Sequence, residues 1–76
     1  MIRIHDLVPG DRVRLTNFGE TAVLYRRKLL SFGLTIGTEL SIIRVAPLGC
    51  PVQVALRETH LTLRKDEASQ LQWERV

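Results

Sequence analysis

The 76 residues carry 45% hydrophobic and 25% charged side chains and a net charge of +3, the balance of one soluble globular domain spanning the whole chain, 1–76. A chain of this size buries only roughly 60% of its unfolded surface, so its core is thin. Apolar runs last only a few residues, as in SIIRVAPL, far short of the about 20 that a membrane span needs, and Arg3 with no long apolar block after Met1 is unlike a secretory signal.

The opening IRIHDLVPGD places Ile4 and Leu7 on one side of a short turn, followed by the turn pair Pro9-Gly10. DRVRLTNF then alternates, with Val13 and Leu15 inward and Arg12, Arg14 and Thr16 outward, which predicts a half-buried strand. Residues 21–32, TAVLYRRKLLSF, predict a helix capped by Thr21 or Asn17. Ala22, Tyr25, Leu29 and Phe32 share its apolar face, and Val23 and Leu30 widen it. Arg26 falls inside that arc, so it must snorkel outward or meet a carboxylate. Gly33 is placed to end the helix in a left-handed C′ position. Four residues later, Gly37 in LTIGT is placed to take a positive φ in a tight turn.

The strand TELSIIRVA follows, and its alternation breaks at Ile42-Ile43, where a bulge or two-sided burial is expected. PLGCP is a loop, with Pro47, Gly49 and Pro51 as its turn residues. PVQVALR alternates again through Val52, Val54 and Leu56. Glu58-Thr59 is the expected turn into HLTLR, which directs Leu61 and Leu63 inward. Asp66 is placed to cap one helical turn in DEASQ, and LQWERV closes as a strand with Leu71 and Trp73 on one face. About five short strands with one inserted helix describe a small SH3-like barrel, mainly β, since sheets this short need protected edges.

The pattern offers no catalytic set and no cofactor loop: GxxxxGK[ST] and GxGxxG are missing. Cys50, His5 and His60 lack any ligand spacing, so no metal site is expected. The one cysteine forms no internal disulfide and favours a cytoplasmic setting. The cations Arg26, Arg27 and Lys28 offer phosphate a contact, but three cations in the C-terminal half of a helix are more often a solvated face. The aromatics are few, Phe18, Tyr25, Phe32 and Trp73, and two lie in the helix, which lowers the nucleic-acid reading.

LVPGDRV, LLSFGLTIGT, RVAPLGCPVQV and HLTLRKDEA together resemble the ferrous iron transport protein A family, FeoA, over about residues 7–68. The resemblance implies an SH3-like fold and a cytoplasmic accessory role, with no enzyme activity and no resident cofactor beyond a transient Fe²⁺ contact. It implies as partner the cytosolic face of the ferrous iron transporter FeoB, through contact that bears on that protein's G-protein domain. Cys50 departs from the polar residue often found in the family loop. A nucleic-acid-binding barrel, or a stand-alone relative of the C-terminal domain of metal-dependent repressors, is the alternative. On the helical wheel Leu24 falls about 200° from Ala22, opposite the apolar arc and among Arg27 and Lys28. One reading makes these three residues the partner-binding face; the other takes Leu24 as an ordinary single exposed leucine.

Overall fold

The computed structural model describes residues 2–48 and 50–76; the turn expected at Gly49 lies outside the described residues. A 3₁₀ turn, Ile4–Asp6, leads into β1 (Arg12–Asn17), α1 (Val23–Ser31), β2 (Glu39–Val45), β3 (Val52–Leu56), β4 (Thr59–Leu63), α2 (Lys65–Ala68) and β5 (Gln72–Arg75). The strands form one antiparallel sheet in the order β4-β3-β2-β1-β5. β5 therefore reaches back to β1, with Leu15 opposite Trp73.

Alternation decides which side of each strand is buried. Val13 and Leu15 of β1, Leu40 and Ile42 of β2, Val52, Val54 and Leu56 of β3, and Leu61 and Leu63 of β4 all enter one core. Leu71 and Trp73 close it from the C-terminal side, and Ile4 and Leu7 from the N-terminal side. The register of β2 with β3 shifts between Ile42 and Arg44. This is the bulge expected at Ile42-Ile43, and it leaves Ile43 exposed while Ile42 stays buried.

Several local expectations are corrected. The helix is shorter than 21–32. Thr21 does not cap it, because its hydroxyl donates to the Phe18 carbonyl at 2.5 Å. Asn17 does not cap it either: its Oδ1 accepts the Gly19 N–H at 2.6 Å, a local Asx-type turn. Ala22 occupies the N-cap without a side-chain bond. Only Tyr25 and Leu29 of the expected apolar face are buried. Val23, Leu30 and Phe32 are exposed, as is Ala22, because a helix on a small curved sheet touches it along a narrow stripe. Arg26 is half-buried, and none of the ion pairs found among the described residues includes it. The β3–β4 turn is Arg57-Glu58, one residue earlier than expected, since Leu56 pairs with Thr59. Arg57 takes a φ of 57° there. The last helical turn, α2, starts from Arg64, and Asp66 sits inside its first turn without capping it.

The two glycines near the end of α1 do what their spacing implies. The Gly33 N–H donates to Leu30 O at 2.9 Å and the Leu34 N–H to Leu29 O at 3.0 Å. These are the two bonds of a Schellman cap, with Gly33 at φ 91° and buried Leu29 and Leu34 as its apolar pair. Thr38 N–H then closes a turn on Thr35 O at 3.1 Å, with Gly37 at φ 93° in the position where a type II turn demands positive φ. Pro9-Gly10 forms a similar turn, Asp11 N–H to Val8 O at 3.1 Å.

A Cβ on Gly37 would meet nothing within 4 Å, so any cost of substitution comes from the backbone alone. Gly37→Val is expected to destabilise the fold by about 1–3 kcal/mol. Chemical denaturation should show this as a lower midpoint with an unchanged slope.

Candidate interaction surface

α1 is held by one stripe and presents the rest of its circumference outward. Tyr25 and Leu29, four apart, point into the core. Leu24 lies away from that stripe and is 79% exposed. Arg27 and Lys28 flank it and are exposed as well. The structure thus brings together Leu24, Arg27 and Lys28 on one outer face, as the wheel predicts.

The electrostatics set this face apart. Several cations outside α1 are paired: Arg14 with Glu74 and Glu39, Arg12 with Glu39, Arg75 with Asp11, whereas Arg3, Arg44, Arg57 and Lys65 enter none of the ion pairs among the described residues. Arg64 faces Asp66 at 3.9 Å. None of the ion pairs among the described residues uses a cation of α1, and α1 itself contains no acid. Its positive charge is therefore not neutralised within the fold.

The remaining chemistry-bearing side chains do not converge. Among the described residues no three of His, Cys, Asp and Glu lie together. His5 and His60 are both exposed. The half-exposed Cys50 has a local structural contact: its Sγ accepts the Lys65 N–H at 3.4 Å at the start of α2. No described helix is long and apolar enough to cross a membrane.

Tyr25 is the one strongly perturbed side chain in this region. Burial pushes its phenol up to about 12, helped by the negative charges of Glu67, Asp66 and Cys50. The Arg64 backbone lies near enough to offset part of that rise. The buried hydroxyl nevertheless has no partner of full hydrogen-bond geometry.

Sequence reasoning missed one feature, a groove between α1 and β4. A cavity of about 200 Å³ runs between Tyr25, Lys28 and Phe32 on one side and His60, Leu61 and Thr62 on the other. Phe32 reads as core from periodicity alone. Its place next to Gly33, at the end of the helix, is the signal that it lies beyond the buried stripe.

The sequence matches the FeoA domain profile over residues 2–75. The chain belongs to the FeoA family. The solution structure of the FeoA protein from Chlorobium tepidum superposes with a TM-score of 0.89 at 32% identity, covering 99% of this chain and 70% of that one. The FeoA of Stenotrophomonas maltophilia complexed with zinc, described as a procaryotic SH3 domain protein, has a TM-score of 0.79 at 19% identity over 97% of this chain and 91% of that one. That likeness shows the fold: SH3-like and mainly β. A curated relative in Porphyromonas gingivalis is a fusion of Fe(2+) transport protein A with the Fe(2+) transporter FeoB, 24% identical over 75 residues. The match takes in 99% of this chain and spans 9% of that relative's length.

Within this FeoA domain, the buried phenol has a measurable consequence. Tyr25 is raised in the folded state, so the stability it contributes is present below pH 10 and is lost as pH rises towards about 12. Tyr25→Phe is expected to change stability at pH 7 by less than about 1 kcal/mol, because the hydroxyl leaves no partner unpaired. The same variant should flatten the alkaline limb of a thermal denaturation series above pH 10.

Proposed function

We propose that this chain is a cytoplasmic accessory protein of a bacterial ferrous iron transport system, acting by contact with the cytosolic face of an FeoB-type transporter. The observation that carries the reading is the relative in which Fe(2+) transport protein A and FeoB are one polypeptide. Fusion holds two modules at high effective concentration, an arrangement useful to modules that touch. The docking face is the outer side of α1, with Leu24 as apolar anchor and Arg27 and Lys28 as its cationic rim. The contact bears on the transporter's G-protein domain.

In this reading the protein is neither an enzyme nor the resident carrier of a metal; Fe²⁺ is the cargo of the system. The scattered ligand-type side chains support that assignment. Calorimetric titration with Fe²⁺ or Zn²⁺ is expected to give no stoichiometric site of micromolar affinity. A site of that affinity abolished by Cys50→Ser would overturn the assignment.

Leu24→Glu tests the docking face. An exposed position should accept the change within about 0.5 kcal/mol of stability. Affinity for the purified cytosolic domain of the transporter should fall by more than about 2 kcal/mol, and iron uptake should fall with it. Normal folding with normal binding would remove this face from the contact. Binding that instead weakens steeply with salt and follows added nucleic acid would favour the nucleic-acid alternative.

A further inference from the structure

We propose that the free edge of β4 is a docking site for an extended acidic segment of a partner protein, added as a further strand beside α1. The inference goes beyond the transporter reading and does not require it: the two surfaces share Lys28 at their border, and the Leu24→Glu variant tells them apart.

The two edges of the sheet are unlike. β5 is covered: the Trp73 N–H donates to Ile2 O at 3.0 Å, and Ile2 bridges to it as an added strand residue. β4, at the other end of the strand order, pairs with β3 alone. In a hairpin closed by a two-residue loop, the closing pair exchanges its backbone hydrogen bonds, and the pairs then alternate. Leu56 and Thr59 are that closing pair, followed by Val54 with Leu61 and Val52 with Leu63. The N–H and C=O groups of His60 and Thr62 therefore point away from β3. No other described backbone group bonds to either residue. A bare edge of this kind is a template for one more strand.

Side chains around the edge say what that strand carries. His60 and Thr62 line the cavity of about 200 Å³ towards α1 and a second of about 330 Å³ towards Ile43 and Gln53. A third, of about 150 Å³, continues past Thr62 to Arg44 and Pro51. Phe32, 44% exposed, gives the edge an apolar wall on the α1 side, and Ile43, equally exposed, lies on β2 on the other side of β4. Lys28 supplies positive charge on the α1 side, Arg44 of β2 supplies it on the sheet face near Thr62, and no carboxylate lines any of the three cavities. Glu67 and Asp66 act on Tyr25 from the α2 end, and Arg64 faces Asp66. A strand alternating acidic with apolar residues answers both features. A second copy of this chain answers neither, since its own β4, THLTL, carries no acid to meet Lys28.

The test is a fluorescence titration of the full chain with a short labelled peptide alternating Glu and Val, beside a control with Lys in place of Glu. The acidic peptide should bind saturably and shift the amide resonances of His60 and Thr62, and the basic one should bind at least about tenfold more weakly. Thr62→Pro deletes one outward donor at an edge position where proline is tolerated, and it should abolish binding. Lys28→Glu, on an exposed side chain, should weaken binding several-fold with folding unchanged, and Leu24→Glu should leave it unaltered. Equal binding of the two peptides would overturn the proposal. So would binding that Lys28→Glu leaves intact, amide shifts confined to the Leu24 face, or self-association through β4 in place of peptide binding.

Discussion

The fold depends on one reversal, the segment from Leu29 to Thr38. The chain leaves β1, makes α1, and has to return to the side of β1 it left. It does so through two positive-φ glycines and a pair of backbone bonds. Leu15 N–H donates to Thr38 O at 3.0 Å, and Gly37 N–H donates to Leu15 O at 2.7 Å. Leu15 is fully buried, so these bonds are shielded from water and stronger for it. The Schellman cap fixes the end of the helix, the turn at Gly37 fixes the start of β2, and Leu15 ties both to β1. The orientation of α1 follows from this knot rather than from its own two buried residues.

That dependence explains why the helix is freely decorated outside. Three cations and an exposed leucine on nine residues would be a poor basis for a helix that had to stabilise itself. Here Leu29 and Leu34 anchor its C-terminal end, and Tyr25 adds contact at the cost of an unpaired buried hydroxyl. The outer face then contributes little to stability, and its residues are available for recognition. The ion pairs of the sheet point the same way. Arg14 lies between Glu39 and Glu74 and Arg12 beside Glu39, so the charges of β1 are matched across neighbouring strands. Such exposed pairs contribute little individually, but they leave the three cations of α1 as one cluster of unmatched positive charge on the surface.

Much of this was legible in the chain. The strands followed from alternation, the bulge from the Ile42-Ile43 break, and the reversal from the spacing of Gly33 and Gly37. The placement of Leu24 followed from helical periodicity. The errors share a cause. Thr21, Asn17 and Asp66 have side chains that suit a helix cap, yet Thr21 and Asn17 hydrogen-bond to nearer backbone groups first. Phe32 and Leu30 fit the core by periodicity, which reports a face and not how wide a stripe the neighbouring sheet can cover. The bare edge of β4 was not legible at all. Strand order depends on β5 returning to β1, a contact between residues about sixty apart in sequence, which no local pattern encodes.

The two ends of the sheet show how a small barrel distributes the protection of its edges. Full closure would remove both edges, but five short strands with a helix inserted after the first leave β4 and β5 unjoined. The N-terminal segment covers β5 through Ile2. At β4 the strand THLTL carries no acid and has Lys28 beside it, so a like edge finds no complementary charge there, and the narrow groove beside α1 limits what can approach. A barrier made of charge is selective, because it excludes a copy of the same chain while it attracts a segment of opposite sign. The feature that keeps an open sheet from pairing with itself is therefore also one that a partner of complementary charge is able to use.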